Sequence, residues 1–503
     1  MKKILYVLAL VAATSLVSCN EDLLNLEPTD EVSAGTLLSD ADGAQVAING
    51  VYRMMKEIGW SNGWEAENPG ILTRILVSDI MGEDHYMAAQ GQGWFFFDHM
   101  FNVDSDYTST AGRQYSQWNL YYTLISQVNY IIAKEEQLVA EGSKGADAVA
   151  QAYAVRAFCY MSLAECFCQG NFAENKETPG VPLYIEPTSM DTKGLPRGTL
   201  ADTYAQINKD YKAAYDLFKG AQENGVAQSH ISHLDLYATC VLWAYTALAE
   251  GEWQRAYDLA TEALTKPTLS KTVATVAELD GFNSIKVPTI MWGFEVLADQ
   301  TGPYGPYHTH MDITGGYGSK APQCWCPYLA TSIPETDERT AWFIWDENDN
   351  PVQNKIRIRE AATSVADHIL VRAEEAILIA AEAACRLKNY TEARAQLTKL
   401  GSVRDTAYAE RLAALEDSDA FNTDTRAALH PRTVMDEVLW QRRVELWSEG
   451  FGRLYDLKRL NLGYVRLDGT EKAPGDYTFT YLLPQKEFDN NPAIDSVEDQ
   501  NPR

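Results

Sequence analysis

The stretch LYATCVLWAYTALAEGEWQRAYDLATEALTKP, residues 236–267, decides the fold class. Leu236, Cys240, Trp243, Ala244 and Ala247 recur at i, i+4, i+7, i+8 and i+11, which sets them on one face of a helix. Gly251-Glu252-Trp253 breaks the pattern, and Ala256, Leu259, Ala260, Ala263 and Leu264 begin a second helix that Pro267 closes. The same spacing returns in Ile369, Ala373, Ala376, Ile377 and Ala380, after which Asn389-Tyr390 leads into Ala393, Leu397 and Leu400. Trp253 matches Tyr390, and Ala256 matches Ala393. Two such units predict a mainly α protein made of paired helices.

Outward from these pairs, Tyr153, Ala157, Tyr160, Met161 and Ala164 share one helix face, as do Tyr204, Ile207, Tyr211, Ala214 and Leu217, with Thr199 as the N-cap of the second helix. Long helices also read at about 41–57, 113–140 and 433–449. The pairs resemble the tetratricopeptide helix-turn-helix unit, whose small residues let two helices approach closely. They are expected over about 113–265 and 367–402, interrupted rather than in tandem. Two irregular stretches, about 58–112 and 270–365, are rich in Gly, Pro, Asn and aromatics and far longer than ordinary connections. They hold Trp60, Trp64, Trp94, Trp292, Trp325, Trp342 and Trp345, which makes them functional excursions or a second subdomain.

Composition narrows the function. With 503 residues, 46% hydrophobic and 11% aromatic, the chain has enough apolar matter for a large core. Its formal charge of -28 repels phosphate backbones, so nucleic acid is not an expected partner.

The N-terminus points to a compartment. Lys2 and Lys3 precede an apolar run from Ile4 to Ala13, a secretory signal too short to span a bilayer. The segment ends Leu16-Val17-Ser18-Cys19, which resembles a bacterial lipobox. Residues 1–18 are then a lipoprotein signal peptide and Cys19 the lipidated anchor, with 19–40 a tether. Several acyl chains would hold the protein at a membrane, since each buried methylene contributes about 0.8 kcal/mol. Asn20-Glu21-Asp22 resembles the acidic tag of surface-exported lipoproteins of Bacteroidetes-type bacteria. The expected location is the outer membrane, facing outward.

Cys159, Cys166, Cys168, Cys240 and Cys385 fall in helical patterns and read as small apolar packing residues. Cys324-Trp325-Cys326 suits a strained disulfide or half of a metal site, but no second cysteine pair stands at ligand spacing. His308-Thr309-His310 with Asp312 reads as a surface turn, since third and fourth metal ligands are not specified.

The C-terminal third carries a family likeness. QRRVELWSEGFGRLYDLKR, residues 441–459, resembles a characteristic stretch of SusD/RagB-type outer-membrane lipoproteins. Tyr481-Leu482-Leu483-Pro484 through Asn491-Pro492, followed by Gln500-Asn501-Pro502, is similar to that family's tail. Trp118-Asn119, Tyr121-Tyr122, Ile125, Val128-Asn129, Gln151-Ala152, Arg156-Ala157, Tyr160 and Gly180-Val181-Pro182-Leu183 match its upstream signatures. Phe451-Gly452 departs from it, standing where the family usually has His or Tyr. The resemblance implies a SusD-like domain over 41–503, a helical fold with four tetratricopeptide-like pairs. It also implies a role: capping a SusC-like TonB-dependent β-barrel transporter and capturing oligo- or polysaccharide, or in one branch oligopeptides, for import. No enzymatic activity and no cofactor are implied, and whether a structural Ca²⁺ orders the acidic loops is left open. Arg442, Arg443, Glu445 and Glu449 look like an acid/base set but read as ion pairs three or four apart that support a helix. A surface hydrolase is the remote alternative, for the chain shows no nucleophile-elbow or zinc-hydrolase motif.

A saccharide offers apolar C–H faces and a rim of hydroxyls, so its receptor needs flat rings beside planar amides or carboxylates. The two excursions supply both. Trp94, Tyr86, Tyr304, Tyr307, Tyr317 and Trp325 are the expected platforms, with Asp84 and Gln92 as hydroxyl partners. Phe95-Phe96-Phe97 cannot present all three rings outward, so at least one is buried.

Overall fold

The computed structural model describes residues 37–57, 70–91, 94–101, 108–301 and 307–502. Cys19, the signal peptide, most of the tether, Gln92 and Tyr304 lie outside the described residues. The longer helices are α1 (Ala41–Lys56), α2 (Leu72–Met81), α3 (Gly112–Ile132), α4 (Ser143–Phe167), α5 (Leu200–Glu223), α6 (Leu236–Glu250), α7 (Trp253–Ala263), α8 (Ala373–Arg386), α9 (Tyr390–Arg404), α10 (Val434–Glu445) and α11 (Gly452–Arg459). The strands are β1 (His85–Met87), β2 (Ile290–Phe294), β3 (Gln323–Trp325), β4 (Phe343–Trp345), β5 (Pro351–Gln353), β6 (His368–Arg372) and the short β7 (Tyr464–Val465) and β8 (Glu471–Lys472).

Helix α4 is central because it is apolar nearly all round. Its alanines at 148, 150, 152, 154 and 157 are all fully buried, which lets α1, α3 and α5 pack closely against it. The one guanidinium there, Arg156, is matched rather than expelled. It donates to both carboxylate oxygens of Asp210 on α5 (2.7 and 2.8 Å), to Asn129 on α3 (2.7 Å) and to the Ile185 carbonyl (2.9 Å). A buried Arg is tolerated when a bidentate carboxylate meets it, and here one side chain ties three helices to the 178–199 segment. Thr199 caps α5 as read, in a reciprocal box with Asp202.

The two expected hairpins form. Gly251 closes α6 at φ 76°, a left-handed conformation that suits glycine. Lys388 takes the same role after α8 at φ 61°, and the Asn389 side chain accepts from the Glu392 amide (3.2 Å) to start α9. Although more than a hundred residues separate them, α7 packs on α8, so the hairpins stack into one layer. Arg386 of α8 lies over the Trp253 ring, 5.2 Å from its centroid. Ile369 is not on the helix its spacing suggested; it belongs to β6, antiparallel to β2, and α8 begins only at Ala373.

The excursion 58–112 is less irregular than the sequence suggests, for it contains α2, whose ten residues are all buried. A helix covered on every side has no polar stripe, and its polar residues serve the interior. Arg74 donates to the Phe451 and Gly450 carbonyls (both 3.2 Å), and Ser78 Oγ donates to the Phe451 carbonyl (2.9 Å). Asp79 accepts the Arg453 amide (2.6 Å) and the Ser448 amide. These bonds hold a loop in which Ser448, Gly450 and Gly452 have φ of 57°, 59° and 72°. Phe451, the departure from the family pattern, fills this loop's core side under the Arg74 guanidinium, 4.5 Å from the ring centroid.

From the other side of the loop, Glu375 accepts the Tyr245 hydroxyl (2.6 Å) and the Arg372 amide (2.9 Å). Burial pushes both Asp79 and Glu375 up to about 7, well above ordinary carboxylates. Their folded values exceed their unfolded ones, so their contribution to stability is full below about pH 4 and is lost as pH rises through 7. The stability these two carboxyls contribute is therefore expected to fall between about pH 4 and 7. Asp79→Asn should flatten part of that slope in denaturant titrations run at each pH, and an unchanged slope would refute the assignment.

The excursion 270–365 contributes an antiparallel sheet in the order β1-β3-β5-β4, joined to the other excursion through β1. Among the described residues no helix is long and apolar enough to cross a membrane.

Candidate functional site

Alternation along β1 sorts its side chains. His85 and Met87 face the core, whereas Tyr86 faces outward and stays half-buried. Tyr86 is in register with Cys324 of β3, Cys324 with Val352 of β5, and Val352 with Ile344 of β4, forming one row across the sheet's outer face. Ile344 is 52% exposed at the far edge, and its neighbour Trp345 is 44% exposed.

The inner face anchors the sheet. The Trp325 ring stacks on Trp447 at 4.7 Å and 10°, and His85 stacks on the same indole at 4.6 Å. His85 Nε2 lies 2.7 Å from Gln323 Oε1, and burial holds the imidazole down at about 3, hence neutral. Asp84 accepts from Arg443 Nε (2.7 Å) and lies 3.3 Å from Arg453 Nε, which pins the start of β1 to α10 and α11.

Three of the expected ligand residues lie buried beneath this face. Trp325 is 0% exposed, stacked on Trp447 and bordered by the tilted rings of Trp342 and Phe343. Tyr307 is buried, and its hydroxyl donates to the Ser448 carbonyl (3.4 Å). Asp84 is buried in ion pairs, so its lone pairs are not offered to a ligand. The His308-Thr309-His310 turn is also not at the surface. It forms a buried helical turn in which His308 Nε2 contacts the Phe282 carbonyl (3.1 Å) and His310 stacks on Tyr317 (4.7 Å, 17°). Cys324 and Cys326 are free buried thiols on either side of Trp325, and no cluster among the described residues could hold a metal ion.

Trp94 and Tyr317 are the expected platforms that the structure brings together. Their centroids are 4.5 Å apart at 60°, although 94 and 317 come from different excursions. Both rings are half-buried, hence partly open. Their support is rigid. Phe95 is fully buried and edge-on to His310 (5.0 Å, 87°), and Arg113 lies over its other face at 4.7 Å. Arg113 in turn donates to both Asp98 oxygens (3.0 and 2.8 Å), clamping the short helix Phe96–His99 to α3. A ring fixed in this way loses little entropy when a flat ligand face covers it.

Trp345, Ile344 and Tyr328 (41% exposed, under Arg426 at 4.4 Å) are exposed apolar groups outside the set of expected platforms. A signal was present: Asp346 through Asn350 is a turn of Asx type before Pro351, so Trp345 sits at a hairpin tip.

Two family models match the chain. One, described as starch-binding and associating with the outer membrane, matches residues 55–241, and the SusD family model matches residues 343–501. Solved structures share the backbone. A SusD-like carbohydrate binding protein from Bacteroides vulgatus superposes with a TM-score of 0.74 at 20% identity, over 91% of this chain and 97% of that one. Surface glycan-binding protein A from Bacteroides uniformis gives 0.65 at 18%, over 92% and 99%. NanU of B. fragilis gives 0.66 at 14%, over 95% and 99%. No curated protein matches the sequence. With models of SusD-type families matching residues 55–241 and 343–501, which together make up more than half of the sequence, this protein belongs to the SusD/RagB family.

Proposed function

We propose that this protein is a lipid-anchored receptor at the cell surface that captures oligosaccharide and delivers it to a TonB-dependent β-barrel transporter, transforming nothing. The single observation that carries the reading is the Trp94–Tyr317 pair, two partly open rings held together from separate excursions on a buried aromatic and Arg–Asp base. Such rings suit the C–H face of a pyranose. Structures of a carbohydrate binding protein and a surface glycan-binding protein with the same backbone support the ligand class. The anchor would be Cys19, with the tether holding receptor and pore together, so micromolar to millimolar affinity suffices.

The test is calorimetry of the chain from residue 20 onward against plant, host and microbial glycans, with oligopeptides in parallel. Heats with at least one glycan and none with peptides are expected; heats with peptides alone would overturn the reading. Detergent-phase partitioning of the full-length protein, lost in Cys19→Ala, tests the anchor.

A further inference from the structure

A groove of about 350 Å³ opens along α3, lined by none of the residues of the sheet or of the Trp94–Tyr317 pair. That volume lies at the low end for small-molecule sites, about 300–1,000 Å³. Tyr115, Trp118 and Tyr122 fall at i, i+3 and i+7, forming one stripe on α3, and Tyr184 faces them from the 178–199 segment. The C-terminal helix Gln485–Asn490 closes the third side.

The rings are held at their polar edges. Trp118 Nε1 donates to Glu487 (3.0 Å), the Tyr122 hydroxyl donates to the Pro182 carbonyl (2.8 Å), and the Tyr184 oxygen accepts the Leu195 amide (3.1 Å). Trp118 and Tyr122 are tilted at 46°, and Tyr122 meets Tyr184 edge-on at 85°, so these rings do not cover one another face to face. Hydroxyl partners stand beside them: Ser126 and Thr188, 2.9 Å apart, the exposed Asn490 carboxamide, and the remaining lone pairs of Glu487. The charged side chains lining the groove are one of each sign, Lys486 and Glu487, and Lys486 lies over the Tyr115 ring at 3.9 Å. Aromatic walls, neutral hydrogen-bonding groups and no net charge select a neutral polyol ring over a phosphate or a uronate.

We propose that this groove is a second saccharide site, taking the neutral end of an oligosaccharide one or two pyranose rings long. The inference rests on reading the chain as a saccharide receptor, and its test separates the two. The protein would carry 5-fluorotryptophan, with the Trp118 and Trp94 signals assigned through Trp118→Phe and Trp94→Phe. Maltotriose, cellotriose, xylotriose and chitotriose are the probes, and the Tyr115→Ala/Asn490→Ala double variant leaves the buried bonds of Trp118, Tyr122 and Tyr184 intact.

At least one probe is expected to shift the Trp118 signal with millimolar affinity, and the double variant should weaken that affinity at least tenfold while the Trp94 response persists. A Trp94 response with a silent Trp118 signal overturns the second site and leaves the proposed function standing. Silence of both signals, together with flat calorimetry, overturns both. An altered yield of a co-purified β-barrel from the double variant, with saccharide affinity unchanged, also overturns it, by making the groove a protein contact.

Discussion

Glu445→Ala is expected to destabilise the protein by about 3–5 kcal/mol, the usual cost of removing one partner from a buried ion cluster. The carboxylate is completely buried and accepts from Arg404 (2.7 and 2.9 Å), Arg372 (2.8 Å) and Arg339 (3.1 Å). Those arginines come from the end of α9, the end of β6 and the second excursion, so a single side chain binds three separate parts of the fold. Arg339 is balanced further by Asp337, and Arg372 by Glu449 (2.5 and 3.0 Å). Without Glu445, the one carboxylate left near Arg404 among the described residues is Glu374 at 3.8 Å, beside the Ala274 carbonyl that it also bonds, and a buried guanidinium cannot lose its proton to escape the cost. These three cations hold Glu445 far below the usual carboxylate range, so acidification to pH 4 should not mimic the mutation. Glu445→Gln, which retains size but not charge, should fall between the variant and the parent. Asp216→Ala, which breaks the exposed pair with Lys212, should change stability by no more than about 0.5 kcal/mol. Denaturant midpoints of the four proteins check this order, and parity of Glu445→Ala with Asp216→Ala would refute a supporting role for the cluster.

That cluster shows what one dimension conceals. The sequence identified Arg442, Arg443, Glu445 and Glu449 as ionic, but paired them along one helix turn. In space Arg442 bonds Asp456 (3.0 Å), Arg443 bonds Asp84 and Glu449 bonds Arg372, partners 14, 359 and 77 positions away. Helix hairpins were legible because an amphipathic face and a turn residue such as Gly251 are local properties. Helix α2 was not, since burial on every side erases the period that would announce it and leaves Arg74 and Asp79 looking like surface residues. The candidate site was legible as a region and not as a set of residues. Rings among glycines marked the excursions, but which ring is open depends on strand pairing between positions 86 and 324 and on the neighbour each indole finds. A three-residue strand is too short to declare its alternation.

Burial divides the two tryptophans that the sequence ranked together, so their replacement should fail in opposite ways. Trp94→Ala removes a half-buried ring at the margin of the core, paired with Tyr317 and edge-on to His310 (6.4 Å), and the base of Phe95, Asp98 and Arg113 remains intact. Thermal unfolding should move little. Glycan affinity should drop by about 2 kcal/mol, roughly 30-fold, the loss typical of a central aromatic anchor. Trp325→Ala instead empties a core position stacked on Trp447 and bordered by Trp342 and Phe343, and such deletions cost about 3–5 kcal/mol. Because β3 joins β1 to β5, the loss should loosen the sheet and lower the unfolding midpoint by several degrees, with affinity at low temperature much less affected. Differential scanning calorimetry and glycan titration on the same two samples give four values. The assignment requires the larger effect of Trp94→Ala in titration and of Trp325→Ala in melting, and exchange of those columns would return the ligand face to the inner side of the sheet.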